Sequence, residues 1–169
     1  MSRLIYRPRV LLIACVVLAG LFVTENVVLA AVHYLRTGGA VKSVAVATND
    51  QQDFFPSTTW TNIPGTSVTM TVPSGEHDIF LISYSSDASC LDVDTCDVRV
   101  VVNGTAALPA PSELGVTSAI VTDSAQFVAG PDGPGSYTIT AQAKVTFPGT
   151  NPTFEVLWPT MTVERAKSS

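Results

Sequence analysis

From Thr66 to Val72 the chain alternates without a break, with Val68, Met70 and Val72 on one side and Ser67, Thr69 and Thr71 on the other. A period of two marks a half-buried strand. The same pattern runs from Ser136 to Phe147, where Tyr137, Ile139, Ala141, Ala143, Val145 and Phe147 alternate with Thr138, Thr140, Gln142, Lys144 and Thr146. It returns from Thr153 to Arg165. There Phe154, Val156 and Trp158 take the inward phase, which then slips to Met161 and Val163. Trp158 is accordingly expected in the core. Pro159 stands at the slip and has no ladder donor, so a bulge or an edge strand is expected there.

Between Asp78 and Gly104 the pattern is apolar on both sides. Phe80, Ile82 and Tyr84 oppose Ile79 and Leu81, and Val98, Val100 and Val102 oppose Arg99, Val101 and Asn103. Strands of this kind belong in the middle of a sheet. The stretch reads as a central hairpin whose loop carries Cys90 and Cys96. The remaining segments are weaker. Val41–Thr48 is a first strand with Val44 and Val46 on one face. Asn49–Ser57 is a loop that tucks Phe54 or Phe55 against the core, and Thr58–Asn62 is a short strand with Trp60, closed by Ile63-Pro64-Gly65. Val116–Ala129 holds one or two strands broken near Asp123-Ser124. Turn signals stand at Pro73–Gly75, Asn103-Gly104, Gly130–Gly135 and Pro148–Pro152. About eight strands, no internal repeat and no helical period beyond the N-terminal segment give an all-β, antiparallel β-sandwich, jelly-roll-like in form.

The first 30 residues differ in kind. A basic stretch with Arg3, Arg7 and Arg9 precedes an uncharged run from Val10 to Val23, then Thr24-Glu25-Asn26 and Val28-Leu29-Ala30. That is the order of a secretory signal peptide, with small residues where the peptidase cuts. The competing reading is an uncleaved membrane anchor over residues 10–32, against which Glu25 and Asn26 count. Leu12-Ile13-Ala14-Cys15 resembles a lipobox, but its apolar lead is short. Either way the arginines hold the N-terminus inside, and the rest is secreted or otherwise extracytoplasmic. The expected domains are the 1–30 signal, a 31–40 linker and the 41–169 sandwich.

Charge narrows the partners. Of 9 basic and 14 acidic residues, Arg3, Arg7, Arg9 and Glu25 precede Ala30, which leaves 6 against 13. A surface of that sign repels polyanions, so nucleic acid is excluded and anionic lipid disfavoured. A membrane is then met only through an uncleaved N-terminal segment.

In an exported domain Cys90 and Cys96 are expected to form a structural disulfide. Asp87, Asp92, Asp94 and Asp97 lie in and beside the same loop, and oxygen donors at such spacing suit calcium. A solvated acidic loop tip is the plainer alternative, and no other cofactor is implied. Trp60 and Tyr84, with Trp158 and Tyr137, are candidates for stacking on sugar rings. Trp60 is the one expected to be exposed. His33 falls in the linker and His77 in a turn. No nucleophile elbow is present, and a carbohydrate hydrolase would need carboxylates brought together by the fold. Asn103-Gly104-Thr105 matches a glycosylation sequon but is already explained as a turn.

The segment from Trp60 to Val72, Cys90 and Cys96 with the following DVRVVVNG, and the terminal TMTVER carry a resemblance. On these the chain resembles uncharacterised small exported all-β proteins of actinobacteria. More weakly, in strand order and VRVVVNG, it is similar to the jelly roll of C1q and tumour necrosis factor, which implies a homo-oligomer. Neither resemblance transfers an active site. The function expected is a non-enzymatic surface or secreted binding module for a glycan or envelope polymer. An assembly module forming a C1q-like homo-oligomer is the alternative, and a carbohydrate hydrolase the third reading.

Overall fold

The structure, a computed structural model, describes residues 40–109, 112, 113 and 119–168. The signal and most of the linker read from the sequence lie outside the described residues. The described part is all-β, with eight strands and no helix among these residues: β1 (Val41–Thr48), β2 (Gln52–Phe55), β3 (Thr61–Val72), β4 (Asp78–Val102), β5 (Thr105–Ala106), β6 (Ser112–Glu113), β7 (Val121–Asp132) and β8 (Gly135–Lys167).

β4 and β8 run antiparallel along almost their whole lengths, from Asp78 opposite Lys167 to Val102 opposite Ile139. This ladder organises the domain. Over its first half, residues 78–91 of β4 and 153–167 of β8 are flanked by β7 on one side and by β1 and β2 on the other. Over its second half, residues 93–102 and 135–148 are flanked by β5 and β6 on one side and by β3 on the other. Two antiparallel layers result, and the same two strands pass through both. Inward residues of both halves belong to one core cluster. Phe80, Ile82, Tyr84, Phe154, Val156, Met161 and Val163 come from the first layer, and Val98, Val100, Ile139, Ala141, Ala143 and Val145 from the second. Burying each larger apolar side chain is worth about 1.5–3 kcal/mol, so this alternation is the main source of stability.

The central hairpin expected from the sequence does not exist. Ile79–Tyr84 and Val98–Val102 do not pair with each other; each pairs with its own half of β8. Between them β4 turns a corner at Asp92, whose φ is 53°. β8 turns with it, because Leu91 faces Thr153 whereas Val93 faces Pro148. Pro148–Pro152, expected as a chain-reversing turn, is thus the wide side of a corner. Asp92 Oδ2 accepts the Asn151 N–H at 2.6 Å, and its carboxylate lies against the open face of Gly149. Cys90 and Cys96 close a disulfide across this corner, and both are buried. The pairing is as expected, at a bend rather than at a hairpin end. Asn103-Gly104 does reverse the chain, with positive φ at both residues, as a type I′ hairpin requires.

Other boundaries move as well. β7 runs unbroken through Asp123-Ser124 and on to Asp132, and β3 absorbs Ile63-Pro64-Gly65 as an irregularity between Asn62 and Ser67. Val44 and Val46 do share a face, but it is the outer one.

Candidate functional site

The ladder of β8 breaks at Trp158-Pro159. On one side Ser85 faces Thr160 and Asp87 faces Leu157, so two residues of β8 oppose Ser86 alone. On the other side β1 ends with Thr48 opposite Thr160, and β2 begins with Gln52 opposite Leu157. The chain crosses the gap through Asn49–Gln51, and the Asn49 N–H donates to the Pro159 carbonyl at 3.0 Å. Pro159 has no N–H to offer, so the bulge forms where the sequence lacks a donor. The extra residue reverses the phase. Trp158, expected in the core, is 57% exposed and has φ 48°.

Phe54, on the neighbouring strand β2, is paired with Glu155, three residues before Trp158 and beyond the Gln52–Leu157 row, and is also 57% exposed. Phe55 settles the alternative left by the sequence. It is the buried partner, packed against Phe154 with ring centroids 6.2 Å apart. Around the two exposed rings the polar groups are held in place. Glu155 accepts from Gln52 Nε2 and, at 2.8 Å, from Ser89 Oγ. Asp87 Oδ1 accepts from Thr122 Oγ1 at 2.5 Å. In the crossing segment Asn49 Nδ2 donates to Asp53 Oδ2 at 2.9 Å, and Gln51 Nε2 to Asp50 Oδ1 at 2.7 Å. A carboxylate accepts about four hydrogen bonds, so Glu155 and Asp87 keep lone pairs for a hydroxyl-rich ligand, whereas Asp53 takes the inward phase of Phe55. Exposed aromatic faces with oriented acceptors can hold a sugar ring, stacking on its slightly positive C–H face while its hydroxyls donate to the rim.

Behind the bulge the core is polar without being satisfied. Tyr84 is wholly buried, so it offers no surface to a ligand, contrary to the sequence expectation. Its Oη and the Ser86 Oγ are near enough to interact, yet neither makes a hydrogen bond of ordinary geometry. Burial pushes the Tyr84 phenol well above the ordinary tyrosine range, and the Asp53 carboxylate adds to the shift.

Trp60 lies half-buried just before β3, beside outward residues of the second layer. Arg99 stands over its ring at 4.4 Å from the centroid and Lys144 at 5.0 Å. The aspartates are dispersed. Asp87 belongs to the first layer, Asp92 to the corner and Asp97 to the second layer, where Asp97 Oδ2 accepts from Thr146 Oγ1 at 2.6 Å and Lys144 Nζ lies 3.6 Å away. Among the described residues no three His, Cys, Asp or Glu side chains converge as metal ligands do; the Asp94 side chain lies outside the description. Phe54 is the exposed ring that the sequence pattern missed; Trp158 stands among the stacking candidates but alternation places it inward, and Pro159 is the signal that turns it outward.

No protein-family model matches the chain, and no curated protein matches it. Among solved structures it is similar to the CBM36-1 domain of a multidomain xylanase from the hindgut metagenome of Trinervitermes trinervoides, with 13% identity, 72% of this chain and 96% of that one covered, and a TM-score of 0.37. A family 35 carbohydrate binding module from Clostridium thermocellum gives 12% identity, coverage of 71% and 98%, and a TM-score of 0.37. The VP2 subviral particle of infectious bursal disease virus gives 12% identity, coverage of 76% and 34%, and a TM-score of 0.42. At such scores these likenesses assign neither a family nor a ligand.

Proposed function

We propose that the β-domain is an exported saccharide-binding module that takes neutral sugar rings of an envelope polysaccharide on the face formed by Trp158 and Phe54. The observation that carries this reading is Trp158 itself, an exposed tryptophan held in the left-handed backbone region. A bulky residue in that region is a genuine outlier, and such strain gathers at ligand sites. Gln52, Glu155, Asp87 and Thr122 supply a rim already ordered before a ligand arrives, with the buried Ser89 anchoring Glu155 from below. Preorganisation of this kind lowers the cost of binding. Export rests on the signal-like N-terminus, and the Cys90–Cys96 bond fits an oxidising compartment.

The test is depletion from solution by a panel of insoluble neutral glucans, xylans and mannans. Retention by at least one is expected, and Trp158→Ala should weaken it tenfold or more, the size of a hot-spot truncation of about 2 kcal/mol. Retention by none, or unchanged retention of Trp158→Ala, would sink the reading. Assembly as a homo-oligomer has one observation in its favour: Val41, Val44 and Val46 are exposed on the edge strand β1. An edge of that kind pairs readily with another chain. Light scattering distinguishes the two, since a stable oligomer that Val44→Lys dissociates would favour assembly.

A further inference from the structure

The described residues hold five basic side chains, Lys42, Arg99, Lys144, Arg165 and Lys167, against thirteen acidic residues in the same span of the chain. Lys42 and Arg165 are committed to Glu76 and Asp78. Two of the remaining three share one ring, that of Trp60. The strands put them there. Thr61 pairs with Ala143, which sets Trp60 beside Lys144, while Arg99 pairs with Gln142 one row on. All three occupy positions of opposite phase to the buried Val98, Val100, Ala141, Ala143 and Val145.

The two cations differ in what they have left to give. Lys144 is partly neutralised by Asp97. Arg99 has no carboxylate within ion-pair distance among the described residues; its Nε donates to Gln142 Oε1 at 2.8 Å. Gln142 is held in turn, its Nε2 donating to Asn62 Oδ1 at 2.7 Å. This chain across three strands fixes the guanidinium plane and, among the described residues, leaves Nη1 and Nη2 without a hydrogen-bond partner. A planar two-donor fork held over an aromatic ring matches a carboxylate carried on a pyranose.

We infer that the outer face of the second layer is a separate site for a carboxylated saccharide, with Arg99 as the carboxylate fork and Trp60 as the ring that seats the guanidinium. It is distinct from the Trp158 face, which belongs to the other layer. The acidic balance of the domain repels densely charged chains over long range, but that repulsion is screened beyond about 8 Å in physiological salt, whereas the fork acts at contact. The ligand it selects is a saccharide of low charge density, in which an occasional acid sits among neutral units.

Titration of the full-length protein with the methyl glycoside of galacturonate, which carries a single acid, and with its methyl ester isolates the carboxylate. The acid is expected to bind at least tenfold more tightly than the ester. Arg99→Gln should bring the acid down to the level of the ester, and Arg99→Lys, which keeps the charge but not the fork, should recover only part. If Arg99→Gln does not fold, Gln142→Ala frees the Arg99 Nε and should still weaken the acid. Trp158→Ala should leave binding of the galacturonate glycoside unchanged, just as Arg99→Gln should leave retention by neutral polysaccharides unchanged, so the two sites fail separately. Equal binding of acid and ester, no binding of either, indifference to Arg99→Gln, or displacement by equimolar acetate would each overturn the inference.

Discussion

An L-residue in the left-handed region costs roughly 1–2 kcal/mol, and a tryptophan left in solvent recovers little of it by burial. Trp158 carries both costs, so its substitution separates stability from binding. Trp158→Asn suits the backbone, because asparagine tolerates positive φ. Its unfolding midpoint should match or exceed that of the wild type while polysaccharide retention is lost. A tryptophan packed in the core would instead cost about 3–5 kcal/mol on truncation. Tyr84 is the converse case, a buried ring with an orphaned hydroxyl. Tyr84→Phe should leave urea-unfolding stability unchanged or raise it by up to about 1 kcal/mol, since it removes an unpaired polar group and keeps the ring. The residues of the proposed binding face were only half legible. Alternation places Trp158 inward, and only the missing donor of Pro159 reverses it. The exposure of Phe54 rather than Phe55 depends on which of the two meets Phe154.

At the scale of the element, the corner in β4 and β8 converts one long ladder into two layers. It rests on two fastenings of different strength. A Cβ on Gly149 would overlap Asp92 Oδ1, so Gly149→Ala must push the carboxylate off the Asn151 N–H. A loss of about 1 kcal/mol is expected for that hydrogen bond. Breaking the Cys90–Cys96 bond by Cys90→Ala with Cys96→Ala should cost about 2–3 kcal/mol for a loop this short. Urea melts of the two variants should keep that order. The sequence marked both sides of the corner, with cysteines in β4 and PGTNP in β8, but as reversals of the chain. Local turn chemistry is the same at a corner and at a hairpin end. Which one forms is decided by the partner strand, and β8 begins more than thirty residues after β4 ends.

Across the whole domain, strand identity and inward phase follow from alternation, because burial of one face fixes them. The closure of one end was not legible, since it needs four charges from distant segments. Asp78 is fully buried, with Lys42 Nζ at 2.8 Å from Oδ1 and Arg165 Nη1 at 3.4 Å from Oδ2. Lys42 also reaches Glu76 at 2.7 Å, and Arg165 Nη1 donates to the Thr71 carbonyl at 2.7 Å. The hydrogen bonds to Asp78 first, then to Glu76, raise the pKa of Lys42 above its ordinary 10.5. A raised lysine contributes stability that is intact below the unfolded value and lost as pH rises through the folded one. Stability to urea should therefore hold its Lys42 contribution up to about pH 10 and lose it above. Lys42→Met should be less stable at pH 7 and lack that alkaline loss.

The most direct test of the binding face is the indole N–H resonance of Trp158, assigned through Trp158→Phe, followed as a soluble oligomer of the retained polysaccharide is added. The Trp158 indole and the Gln52 side-chain amide are expected to shift together and saturate at one Kd. A Trp158 resonance that stays in place while others move on binding would put the neutral saccharide elsewhere and contradict the assignment.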